Sequence, residues 1–146
     1  LERIKNDLIN NEEYDKINRG INKDAWQRLN NTLELIKDLP TRTVVRLTLI
    51  KGLNTDKNSL KRFAEMIEKS QTDFLEIKSY MWIGYSRERL KQENMPTHDE
   101  IKEYTKTLLK YLPSFKYEDE QISSRIILLK NIGNNRTKPV PNRFII

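Results

Sequence analysis

Arg42-Thr43-Val44-Val45-Arg46-Leu47-Thr48-Leu49-Ile50-Lys51-Gly52-Leu53-Asn54 reads as a strand running into a turn. Val44, Val45, Leu47, Leu49 and Ile50 are β-branched or large and apolar. Arg46 and Thr48 interrupt them at period two, so both point to one face. A near-continuous apolar run with one polar stripe suits a parallel strand covered by helices on one side. The stripe then either lines something polar, such as a barrel interior, or belongs to a core strand with one solvated arginine. The run stops at Lys51-Gly52, and Asn54-Thr55-Asp56 leads toward a helix. Strand, glycine turn and helix make half of a βα unit, and ligands of parallel sheets and barrels sit at that end of the strand.

Working outward, Trp26, Leu29, Leu33 and Ile36 recur at spacings of three and four and predict a helix opened by Asn22 or Asp24. Leu39-Pro40 closes it, because the residue before proline avoids helical backbone. Beyond the strand, Asp56 or Asn58 can cap a helix whose apolar stripe is Leu60, Phe63, Met66 and Ile67; at that spacing the stripe is core. A second strand follows at residues 74–78. Leu75 and Ile77 take one face, and Phe74, Glu76 and Lys78 the other. If Arg46 and Thr48 line an interior, Glu76 and Lys78 line it beside them, where charges pair or meet a polar ligand. A buried ion-pair network without chemistry would leave the same pattern. Thr97 and Glu100 fit a capping box for a helix with Ile101, Tyr104, Leu108 and Leu109 on its buried side and Pro113 beyond its end. Short strands are expected at residues 115–118 and 125–130. Residues 1–11 are weakly patterned, a short helix by Leu1, Ile4, Leu8 and Ile9 or a loop by Asn6, Asn10 and Asn11; 12–18 read as another short turn of helix, 19–22 as a connection and 131–141 as a loop, before Phe144, Ile145 and Ile146 turn apolar again.

The loop at residues 79–93 interleaves Tyr80, Trp82 and Tyr85 with Arg87 and Arg89. Such a set stacks on bases and holds phosphates, or else tucks the loop onto the core by its aromatics. Composition narrows the partners. The 146 residues are one domain or a piece of one, 33% charged, with a net charge of +6 that suits a polyanion. Cysteine is absent, which excludes disulfides and thiolate ligands for zinc or an iron–sulfur cluster. His98, the only histidine, has no second histidine or cysteine to share a metal and sits in a helix's first turn. There is no Gly-rich phosphate loop, no supported Ser–His–Asp set and no zinc spacing. No apolar run approaches the roughly 18 residues of a membrane span, and no signal peptide is visible, so the expected location is cytoplasmic.

Taken together, these motifs resemble a known family. The strand just quoted, Asp73-Phe74-Leu75-Glu76-Ile77-Lys78-Ser79-Tyr80-Met81, Gly84-Tyr85-Ser86-Arg87-Glu88-Arg89-Leu90 and Asn94-Met95-Pro96-Thr97-His98-Asp99-Glu100 are similar to the tRNA 4-demethylwyosine synthases, in an archaeal-type pattern. Glu13-Tyr14-Asp15-Lys16-Ile17-Asn18-Arg19, Asp24-Ala25-Trp26-Gln27-Arg28-Leu29, Glu118-Asp119-Glu120 and Ser124-Arg125 fit as well. The resemblance implies an α/β fold, the C-terminal half of a partial (β/α) radical S-adenosylmethionine barrel with extra short C-terminal strands. It implies a carbon–carbon lyase of wybutosine biosynthesis that condenses pyruvate carbons with N1-methylguanosine in the anticodon loop of phenylalanine tRNA. The cofactors it implies are S-adenosylmethionine and [4Fe–4S] clusters held by Cys-x3-Cys-x2-Cys. Those cysteines are absent here, and the chain begins at Leu1, so it is expected to be a half that ligates no cluster and is inactive without an N-terminal half on the same or a separate chain. A basic tRNA-binding module or a structural fragment is the alternative. Carried onto matching positions, the resemblance puts Glu76 and Lys78 beside the substrates as catalytic residues. Thr48, Lys51 and Asn54 meet the S-adenosylmethionine, Arg46 binds substrate, and Tyr80, Tyr85, Ser86, Arg87, Asn94 and His98 face the modified guanosine or its neighbouring phosphates.

Overall fold

The computed structural model describes residues 25–133. The readings at residues 1–11, 12–18 and 19–22, the helix cap at Asn22 or Asp24, and the tail beyond residue 133 lie outside the described residues. The chain divides into two units at residues 35 and 36. In the first, helix α1 (Ala25–Ile36) follows the predicted apolar spacing. It ends at Ile36, whose carbonyl accepts the Leu39 N–H at 3.2 Å, just ahead of Leu39-Pro40.

The second unit is built on a four-stranded sheet. Strand β1 (Val44–Leu49), helix α2 (Lys57–Ser70) and strand β2 (Phe74–Ser79) form a βαβ unit that begins with the strand, turn and helix expected of the opening stretch, and β1 pairs parallel with β2. Helix α3 (His98–Leu109) leads into strands β3 (Phe115–Gln121) and β4 (Ile126–Asn131). These form an antiparallel hairpin, and β4 docks antiparallel on β2, giving the order β1-β2-β4-β3. The sheet is therefore mixed. The predicted closing strands exist, but β3 runs three residues past the expected Glu118 and carries a bulge between Tyr117 and Asp119.

Alternation along the strands sends Leu49, Leu75, Ile77, Ile127 and Leu129 to one face, where they bury completely or nearly so. There they meet Leu60, Ala64 and Ile67 of α2 and Ile101 and Leu108 of α3, with Phe63 packed alongside. Full burial of each large side chain contributes about 1.5–3 kcal/mol. The helix ends are fixed by side chains. Asp56 accepts from the Ser59 backbone N–H at 3.1 Å and its hydroxyl at 2.6 Å. Gln71 ends α2 in the left-handed region at φ 50°, its N–H donating to the Glu68 carbonyl. Thr97 and Glu100 form the expected capping box.

The two ends of the parallel pair are finished differently. At the N-terminal end, Asp73 accepts the Thr43 N–H and hydroxyl at 2.8 and 3.0 Å. There Asn131 donates to Gln71 and to the Thr72 carbonyl, and the Ser114 hydroxyl donates to Glu68. This end is closed on itself. The C-terminal end runs into the loops that carry the candidate site. Among the described residues, no helix is long and apolar enough to cross a membrane.

Candidate functional site at the strand ends

On the sheet face opposite α2 and α3, Arg46 stands beside Glu76 and Thr48 beside Lys78 in register. The Arg46 Nε donates to Glu76 Oε2 at 2.9 Å. The four residues thus share one face, as the alternation predicts. Lys78 is half-buried, and its ammonium has no ion-pair partner among the described residues. The Thr48 hydroxyl is exposed.

Where β1 ends, the chain turns through Gly52 at φ +84°, a left-handed conformation that suits glycine. Asn54, only 6% exposed, closes the turn from within. Its Oδ1 accepts the Ile50 N–H at 2.7 Å and its Nδ2 donates to the Thr48 carbonyl at 3.1 Å. The amide that sequence reading sends to the cofactor is thus turned inward onto the backbone. Asn94 holds the same turn from outside: its Nδ2 donates to the Lys51 carbonyl at 2.8 Å and its own carbonyl accepts the Lys51 N–H at 2.8 Å. The Lys51 Nζ lies 2.6 Å from Glu100 Oε2. This contact raises the Lys51 pKa and, with the bonds from Thr97, lowers that of Glu100.

The start of α3 gathers the other strand ends. The Pro96 carbonyl accepts from the Ser79 hydroxyl at 2.8 Å and from Arg125 Nη1 at 2.9 Å, joining β2 to the hairpin turn. Residue His98 is buried, and its Nε2 lies 2.5 Å from Glu120 Oε2 on β3, with Lys102 Nζ at 3.4 Å from the same oxygen. These contacts, the one from His98 foremost, lower the Glu120 pKa. His98 therefore faces β3 and not solvent. In the loop after β2, Tyr80 is buried and donates its hydroxyl to Ser86 Oγ at 2.7 Å, while Tyr85 and Arg87 are exposed.

The predicted residues thus fall into groups. Arg46, Thr48, Glu76 and Lys78 come together on one face. Lys51, Asn54 and Asn94 come together at the turn, where the two asparagine amides bond to backbone. Tyr80 and Ser86 support the loop, and Tyr85 and Arg87 stand on its surface. Glu100, Glu120, Ser79 and Arg125 carry no site role in the sequence pattern, though the structure joins them to this end of the sheet. A capping box was legible at Glu100, but its reach to Lys51 crosses between elements and leaves no local pattern.

The donor set also tests the implied cofactors. The Thr48 hydroxyl on the polar face fits an S-adenosylmethionine contact, whereas the Asn54 amide is consumed and the Lys51 ammonium is paired. An iron–sulfur cluster does not fit this chain: it has no cysteine, and among the described residues no three His, Asp or Glu side chains cluster to hold a metal.

A mixed α/β fold is what the comparisons with solved structures also indicate. Residues 69–131 match the wyosine base formation family. The resemblance read from the sequence is borne out, and the chain is a relative of the tRNA 4-demethylwyosine synthases. It is 47% identical over 118 residues to the S-adenosyl-L-methionine-dependent tRNA 4-demethylwyosine synthase of Pyrococcus abyssi (strain GE5 / Orsay), covering 81% of this chain and 34% of that protein. Its identity to the enzyme of that name from Methanocaldococcus jannaschii is 41%, covering 82% of this chain and 37% of that one. A solved structure of TYW1 with a lysine–pyruvate adduct bound superposes with a TM-score of 0.71 at 36% identity, over 84% of this chain and 38% of that one. The chain spans about a third of the length of these two curated relatives.

Proposed function

We propose that this chain is the part of an S-adenosylmethionine-dependent tRNA 4-demethylwyosine synthase that forms the later strands of a partial (β/α) barrel, with the polar face of β1 and β2 lining its interior. The observation that carries the reading is the shared face of Arg46, Thr48, Glu76 and Lys78 on two parallel strands, turned away from the helices. In this reading the Lys78 ammonium holds the carboxylate of pyruvate. Glu76, oriented by Arg46, keeps a proton-accepting carboxylate beside it. Thr48 contacts the S-adenosylmethionine, which supplies the radical chemistry when bound. Asn54 and Asn94 hold the strand end in shape. The rest of such an enzyme, on the same or another chain, supplies the cluster ligands that this chain lacks, and N1-methylguanosine in phenylalanine tRNA is the substrate.

The test is a chimera in which these residues replace the matching segment of the Pyrococcus abyssi enzyme. After anaerobic reconstitution with S-adenosylmethionine, pyruvate and N1-methylguanosine-containing tRNA, it is expected to form 4-demethylwyosine. Lys78→Met and Glu76→Gln are each expected to lower turnover about a hundredfold or more with the fold intact. A folded chimera without product, or full turnover from Lys78→Met, would overturn the reading. Retained tRNA binding by a productless chimera would favour the RNA-binding module.

A further inference from the structure

The loop after β2 has features that the strand-end chemistry does not use. Tyr85 is 87% exposed and Ile83 69%, and Met81 in the same segment is also exposed. Single exposed apolar side chains are ordinary on protein surfaces, but three in five residues on one built turn are not scatter. The turn is held from below. The Tyr80 hydroxyl donates to Ser86 Oγ at 2.7 Å, and Ser86 Oγ donates to the Ile83 carbonyl at 2.5 Å. Gly84, at φ +59°, turns the chain outward at the root of Tyr85. The Leu90 N–H donates to the Ser86 carbonyl at 2.8 Å, and Trp82 Nε1 donates to the Leu90 carbonyl at 2.9 Å. Arg87 lies over the Trp82 ring, its Cζ 4.3 Å from the centroid. The guanidinium is thereby held on an indole face. Residues 81–91 carry Arg87, Arg89 and Lys91 against the carboxylate of Glu88.

A flat aromatic ring presented to solvent on a supported turn, next to a fixed guanidinium in a basic segment, complements an unpaired base and the phosphate beside it. We propose that Tyr85, flanked by Ile83, is a stacking platform for an unpaired nucleobase of the substrate RNA, and that Arg87 takes the adjoining phosphate. The inference rests on the tRNA reading above and deepens it. Of the four residues that the sequence assigns to RNA in this loop, Tyr80 and Ser86 build the platform, and Tyr85 and Arg87 make the contact.

The experiment measures binding of a fluorescently labelled anticodon stem-loop RNA to the whole chain at several salt concentrations. Tyr85→Ala is expected to weaken binding about tenfold to a hundredfold. Tyr85→Phe and Tyr85→Trp should restore it, because stacking needs a ring and not a hydroxyl. The salt slope should be unchanged in the Tyr85 variants and about 0.7 smaller in Arg87→Gln, for one lost single-strand phosphate contact. Unchanged affinity in Tyr85→Ala, failure of Phe to rescue, or no RNA binding by the parent chain would each overturn the proposal. RNA binding through Tyr85 by a chain whose chimera makes no 4-demethylwyosine would leave the platform standing and remove the enzymatic reading.

Discussion

Asn54→Ala separates a residue that shapes the site from one that touches the cofactor. The Asn54 side chain makes two bonds inside the turn, accepting the Ile50 N–H at 2.7 Å and donating to the Thr48 carbonyl at 3.1 Å. Ile50 is 6% exposed, so its N–H has no ready access to water once Oδ1 is gone. An unpaired buried donor costs about 1–3 kcal/mol and the second bond about 1 kcal/mol, so the variant should lose roughly 2–4 kcal/mol. At roughly 3 °C per kcal/mol for a chain of this size, its midpoint should fall by about 6–12 °C. Asn54→Asp refines the test. Its carboxylate can still accept from Ile50, but its second oxygen faces the Thr48 carbonyl and has no proton to give. It should be as unstable as Ala near pH 7 and recover on acidification, when a protonated carboxyl again donates to Thr48. Thermal melts followed by circular dichroism between about pH 5 and pH 7 read both effects. An Asn54→Ala midpoint within about 1 °C of the parent would refute the inward-facing role and return Asn54 to the cofactor.

Glu100 supplies a pH test. Its bond to Lys51 first, and those to Thr97, hold its folded pKa below the unfolded value, so its contribution is present above the unfolded value and lost as pH falls through the folded one. In Glu100→Gln the loss of stability between about pH 5 and pH 3 should be shallower than in the parent; identical acid limbs would show that the Lys51 contact is not made in solution. Gly52→Ala should cost about 1–2 kcal/mol through backbone strain at φ +84°. An added Cβ would meet only Asn94 Nδ2 at 3.7 Å, so denaturant melts that show no loss would mean the turn takes another conformation.

What the sequence made legible follows from where each signal lives. The βαβ unit is written in local patterns: alternation in residues 44–49 and 74–78, a capping aspartate, and a Leu60–Phe63–Ile67 stripe, each readable without its partners. The polar face of Arg46, Thr48, Glu76 and Lys78 follows from the same alternation once the two strands are taken as neighbours. Other features depend on what lies across space. An asparagine after a strand looks the same whether its amide meets a ligand or, as at Asn54, the backbone. His98 and Glu120 are 22 positions apart, and their contact depends on the register of a hairpin. β3, Phe-Lys-Tyr-Glu-Asp-Glu-Gln, is largely exposed and alternates only as far as Tyr117, so neither its full length nor its bulge had a hydrophobic signal to betray it.

That bulge governs which carboxylate lies beneath α3. In an even pleat, positions three apart point to opposite faces. Yet Tyr117 pairs with Leu129 and Glu120 with Ile127, and both partners belong to the helix-covered face. The supernumerary residue reverses the parity of everything after it. Without it, Asp119 would stand opposite Ile127 and Glu120 would pass to the open face. The imidazole of His98 would then look toward an acid one methylene shorter, and Glu120 would replace Asp119 on the face that carries Glu76. Residue count within this strand, as much as residue identity, thus sets which acid each face of the sheet presents.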